Sequence, residues 1–273
     1  MAAERATTEV RQQLGLGRIL PLGEAADGVW VAEEAALAEL HRSVPGARLS
    51  AVRLDPSGPR AAAESAVPAP AGALPPGPLT LTANLAVYAD RPVPAAAEEV
   101  RRTLLAAAEG ELGLPLEYVD LRVTELVEAG GAGRGRGQEE GSGPRESAEA
   151  PDSGPEPAAR GAEPEGRAAA AGTEQEEAAG RVARAVLAVE GVVRLAPAQG
   201  PAFTHVAVGP RFGAVRIEGD PGAGPCHVLL RVAVSPARRV LDTARAAGAA
   251  AREALGTSGG VTVAVLVAAV DRR

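Results

Sequence analysis

The side chains able to do chemistry are few in this sequence, and their spacing keeps them apart. Cys226 and His227 set a thiol beside an imidazole. That pairing could make an activated nucleophile or begin a metal site. "CHVLLRVAV" alternates as a strand does, however, and neighbouring residues of a strand point to opposite faces. The other histidines, His41 and His205, have no partner at ligand spacing. "GTSGG", Gly256–Gly260, matches the G-x-S-x-G pattern of a nucleophile elbow, which needs a strand before it and a helix after it. Here a helical pattern precedes and a strand pattern comes after, so Ser258 reads as part of a glycine-rich helix stop. "GLGRILPLG", Gly15–Gly23, lacks the third glycine of a dinucleotide fingerprint, and a chain without lysine has no phosphate-loop lysine. "GRGRG", Gly133–Gly137, offers two arginines inside a net acidic stretch, a poor match for a phosphate backbone. The pairs Arg101–Arg102 and Arg238–Arg239 read as solvated helix faces at comparable places, with a surface for acidic partners or lipid headgroups as the alternative. The expectation is therefore no catalytic, cofactor-binding or metal-binding residue, and no enzyme.

Composition narrows the classes further. The chain has 273 residues, enough for two modest domains. All 28 of its basic residues are arginine, and with the excess of Ala, Gly and Pro this reflects a GC-rich bacterial genome rather than a function. One cysteine excludes an internal disulfide and fits a reducing compartment. The few aromatics form no cluster on which nucleic-acid bases could stack. Net charge is -7, distributed as -7 over residues 1–128, -4 over 129–175 and +4 over 176–273. The most apolar run, "VTVAVLVAAV" (Val261–Val270), is half the length of a membrane span. Its valines recur with period two, which predicts a terminal β-strand. No apolar segment of signal-peptide length is seen near Met1, so a cytoplasmic protein is expected.

The elements fall into two copies of one plan. A helix carrying Leu37, Leu40 and Val44 stops at "VPGA"; another carrying Val182, Ala185, Val186 and Val189 stops at "VEGV". "RLSAVRL" comes next in the first copy. "THVAV" and "AVRIEG", joined by a "GPRFG" turn, come next in the second. Each copy then has a period-two strand (Leu79, Leu81, Ala83, Leu85, Val87 against Val228, Leu230, Val232, Val234), a proline turn and a second helix. The helix stripes are Val100, Leu104, Ala108 and Val240, Leu241, Ala244, Ala247, Ala251. The last strand of the first copy points Val119, Leu121 and Val123 inward. The fold expected is α+β: two small two-layer domains, each helix–strand–strand–helix–strand with its helices on one face of a short sheet. Their bounds are 29–128, interrupted by a Pro/Ala-rich loop at 56–78, and 174–273. Residues 129–173 read as a disordered linker with a root-mean-square span of roughly 35–40 Å. Residues 1–28 read as an arm whose Leu14, Leu16, Ile19, Leu20 and Leu22 dock on the core or, as the less favoured alternative, on another protein.

The glycine-stopped helices, the strands "LTLTANLAVYAD" and "HVLLRVAVS", and the segment "VPAAAEEVRRTLLAAAEGELGLPLEYVDLRVTEL" resemble the alkaline shock protein family, the envelope stress response proteins of Gram-positive bacteria. The resemblance covers about two thirds of the chain as two divergent copies, the first the closer. It implies a small, non-enzymatic, cytoplasmic protein of cell-envelope homeostasis, peripheral to the membrane through a small anchor protein, without cofactors. The duplication, the tether and the Pro/Ala insertion depart from that family's one-domain pattern. The function expected is a scaffold acting through protein–protein contacts, with a homo-oligomer open. A nucleic-acid-associated regulator using the basic second half is the alternative.

Overall fold

The computed structural model describes residues 17–58, 64–89, 92–127, 165–196, 212–220, 225–256 and 260–272. The chain enters through an antiparallel hairpin, β1 (Ile19–Leu22) and β2 (Val29–Ala32). The first copy consists of α1 (Glu33–Ser43), β3 (Arg48–Pro56), β4 (Leu79–Tyr88), α2 (Val93–Ala107) and β5 (Leu116–Val127). The second is α3 (Glu165–Leu187), β6 (Val192–Leu195), β7 (Val215–Gly219), β8 (Cys226–Val234), α4 (Val240–Leu255) and β9 (Val261–Val270). This is a mixed α+β fold with two sheets, as expected.

The duplication extends to register. In each sheet a middle strand, β4 or β8, pairs antiparallel with strands before it in the chain and parallel with the strand after it. Leu81 faces Val119 as Val228 faces Val263, and Leu85 faces Val123 as Val232 faces Val267. Both ladders then skip one residue of the last strand, Thr124 in one copy and Ala268 in the other. The first strands also correspond. β3 shifts register between Ser50 and Arg53, where Ala51 takes φ 50°. In the second copy the same edge is shared by β6 and β7, with residues 197–211 between them outside the described residues.

Several expected elements are met only in part or fall outside the described residues. The strand after "VEGV" is Val192–Leu195, whereas "THVAV" with His205 lies outside the described residues. "GPRFG" lies partly outside them too, and Phe212–Ala214 form one 3-10 turn leading into β7. α3 already begins at Glu165, inside the stretch read as linker, where alanines favour helix. The rest of that stretch, with "GRGRG", lies outside the described residues, as does Ser258.

The hairpin holds the largest departure. Sequence patterning assigns Val29–Ala32 to the start of the first unit, yet β2 pairs in parallel with β9 and extends the second copy's sheet. That sheet runs β1-β2-β9-β8-β6, with β7 also on β8, while β3-β4-β5 stands as a separate sheet. Burial explains the choice. Leu20, Leu22, Val29, Trp30 and Val31 are all almost completely buried, each worth roughly 1.5–3 kcal/mol of transfer free energy. The Pro/Ala loop latches this hairpin: Leu74 N–H donates to Ile19 O (2.9 Å) and Trp30 Nε1 to Leu74 O (3.4 Å). One contiguous buried cluster joins Leu20, Leu54, Leu81 and Leu104 to Val228, Leu241 and Val265. The two copies therefore share a core.

They meet where α2 ends in a π-helical turn, Ala108–Leu112. That turn sets Gly113 (φ 82°) against α4, where an added Cβ would come within 2.5 Å of the Leu241 Cβ. Gly113 O accepts from Gly23 N–H (2.9 Å), tying the hairpin to the same spot. Two ion pairs bridge distant parts of the chain. Glu39, only 2 % exposed, binds Arg42 on its own helix and Arg272 at 3.0 Å. Asp27 takes a two-pronged bond from Arg245 at 2.7 and 2.8 Å.

Candidate functional site

Corresponding strand edges of the two copies are treated in opposite ways. In the second copy β2 lies along β9, matching Val29 to Val265, Trp30 to Leu266 and Val31 to Val267. Val265 N–H donates to Gly28 O at 2.9 Å, and Val267 is 0 % exposed. In the first copy β5 is the last strand of its sheet, so the corresponding edge bears no strand among the described residues. Val123, the counterpart of Val267, is 36 % exposed rather than buried; Tyr118 and Leu126 on the same strand are 59 % and 60 % exposed. Val123 does sit on the inner face, opposite Leu85, but among the described residues nothing beyond β5 closes over it.

The register shows which backbone groups face the open edge. Leu121 is the counterpart of Val265, whose N–H points at the added strand. Successive residues alternate in direction, so Val119, Leu121 and Val123 present their N–H and C=O groups outward. Arg101 on α2 binds one of them: its Nε donates to Val119 O at 3.0 Å, while its Nη1 holds Glu98. The corresponding position on α4 is Gly248, where a Cβ would meet the Val265 side chain at 3.3 Å. The second copy thus packs its helix close and covers the edge with a strand. The first keeps an arginine there and, among the described residues, leaves the edge open.

A groove of about 240 Å³ lies at the same end of the first copy, bounded by Val44, Gly46, Leu85, Val87, Ala96 and Val100. Its counterpart is closed: Thr243 replaces Ala96 and sits where a Cβ on Gly191 would come within 2.8 Å, whereas Gly46 has open space. A second concavity, about 610 Å³, lies at the junction of the copies beside Glu24, Glu109, Arg239 and Arg245. Its arginines are already engaged. Arg239 Nε donates to Glu109 O (2.9 Å), and Arg245 holds Asp27. Burial raises the Asp27 carboxyl, but hydrogen bonds from Arg245 and from Glu24 N–H, with the arginine's charge, outweigh this and leave its pKa below the ordinary 3.8.

The residues singled out in the sequence do not converge. Cys226 is buried, and burial with the charge of Asp220 raises its thiol pKa, which holds it as an unreactive thiol. His227 Nδ1 lies 3.0 Å from Thr262 Oγ1, and burial lowers its pKa. His41 is exposed on α1. No group of three metal-type ligands occurs among the described residues. The arginine pairs are not at comparable places: Arg238–Arg239 precede α4, bonding Glu190 and Glu109, whereas Arg101–Arg102 lie well inside α2. Leu14 and Leu16 of the arm lie outside the described residues; Ile19, Leu20 and Leu22 are buried in β1.

What this end of the molecule offers is a row of backbone donors and acceptors flanked by apolar side chains. That is the chemistry of strand addition. Sequence patterning does not reveal it because openness is a tertiary property, although the arginine–glycine contrast at positions 101 and 248 is visible there. No family model matches the chain, and no curated protein or solved structure matches it either.

Proposed function

We propose that this chain is a non-catalytic scaffold that binds an extended protein segment along the open edge of β5. The observation carrying this reading is internal. The molecule itself covers the matching edge of β9 with a strand, and leaves β5 uncovered among the described residues with Tyr118, Val123 and Leu126 exposed. Unpaired strand edges are costly to leave open and are commonly shielded. The resemblance to alkaline shock proteins supports a place in cell-envelope homeostasis, in the cytoplasm, with any membrane contact made through an anchor protein. No helix among the described residues is long and apolar enough to cross a membrane. The nucleic-acid alternative gains little, because Arg194, Arg216, Arg238 and Arg245 of the basic half already face acidic partners.

The test is comparative capture from the host with tagged full-length protein. Val123→Arg with Leu126→Arg is expected to lose the captured partner while keeping the wild-type unfolding transition. Leu187→Arg, at an exposed apolar site on α3 (44 %), should retain it. Equal recovery by both variants would remove β5 as the binding edge.

A further inference from the structure

We propose that the strand taken up by the open edge of β5 is β5 of a second copy of this chain, paired antiparallel about a two-fold axis at Leu121. The inference rests on the scaffold reading and names its partner.

Register sets the geometry. Val119, Leu121 and Val123 present the outward backbone groups, so an incoming antiparallel strand forms its hydrogen-bonded pairs with these residues. Opposite residues in such a pair share a face. With Leu121 facing its own copy, Val119 faces Val123 twice, covering the valine that stands 36 % exposed. On the outer face Asp120 faces Arg122 twice and Tyr118 faces Thr124. Asp120 and Arg122 are both exposed, and neither has an ion pair among the described residues, so each is available to the other copy.

Charge selects this register over its neighbours. Slipping the copies by two residues one way sets Asp120 against Asp120. Slipping them the other way sets Arg122 against Arg122. Like charges directly opposite destabilise a pair, and opposite charges stabilise it. A one-residue slip would bring inner-face residues opposite outer-face ones and is excluded.

The length of the pairing is also set by the strand. The ladder skips Thr124 and resumes on β4 at Glu125, and such a bulge bends its strand and shifts the register beyond it, so a regular partner strand stays in step only up to Thr124. The match therefore runs from Tyr118 to Thr124 and stops short of the like-charged Glu117 and Glu125. Arg101 guards one end of each strand, so by symmetry an arginine flanks either end of the pairing. Its guanidinium takes one lone pair of Val119 O and leaves Leu121 and Val123 free.

Sedimentation of the full-length chain over a range of concentrations tests this. The 27.4 kDa chain is expected to approach twice that mass as concentration rises. Asp120→Arg and Arg122→Asp should each weaken the association at least about tenfold, since both symmetric pairs become repulsive. The two substitutions combined should restore it, because opposite charges face each other again. Restoration separates pairing from misfolding. A wild-type chain that stays at the monomer mass, or a dimer indifferent to either single reversal, would overturn the proposal. Should the monomer still capture another protein through Val123 and Leu126, self-pairing fails while the scaffold reading stands. Should the capture also ignore those residues, both fail.

Discussion

At the scale of residues, several charged side chains act as struts between distant parts of the chain. Asp27 is the clearest case, since it joins the hairpin turn to α4 through Arg245. Its folded pKa lies below the unfolded value of 3.8. The stability it contributes is therefore fully present above that pH and fades as pH falls through the lowered folded value. Arg245 is 44 % exposed, so screening limits the pair to about 1 kcal/mol. Arg245→Ala is expected to lose about this much near neutrality, with the wild-type and variant curves converging in acid. Urea titrations at several pH values would show it. A constant gap across that range would separate the loss from Asp27. That Cys226 and His227 do not converge is legible in the sequence, because they are neighbours on one strand. Glu39 is not legible, because its partner Arg272 lies 233 positions away.

At the scale of elements, period-two and helical patterns locate β4, β5, α2, α4, β8 and β9, because these signals are local. They fail for β6, a four-residue strand whose partner on β8 is remote in sequence. They also fail for the π-helical turn, whose following Gly113 packs against Leu241 of α4, remote in sequence. That turn puts Gly113 at φ 82° with Leu241 pressed against it. Alanine there meets both an unfavourable backbone region and a clash. Gly113→Ala should cost about 1–3 kcal/mol, read from the shift of the unfolding midpoint. Gly110→Ala, three residues earlier with open space, is the control and should change little. Equal effects would mean the junction is looser than described.

At the scale of the molecule, the sequence shows two copies but not how they assemble. Residues 1–28 alone do not distinguish an arm docked on the core from one docked on another protein. Strand pairing with β9 depends on an edge that exists only after the second copy folds. That dependence predicts an outcome for truncation. Removing residues 1–32 uncovers Val265–Val267 and forfeits on the order of 10 kcal/mol of gross apolar burial, comparable with a whole domain's stability. Such a chain is expected to aggregate, where the full-length chain stays dispersed under the same conditions. Light scattering on the two would show the difference.

One contrast is central: at matching places in the two copies, one edge is covered and the other, among the described residues, is open. Residue-resolved amide hydrogen exchange measures it directly. In dilute solution Leu121 should exchange quickly and Val265 slowly; at high concentration Leu121 should slow as β5 finds its partner, with Val265 unchanged. Protection of Leu121 equal to that of Val265 at every concentration would contradict both the open edge and its pairing.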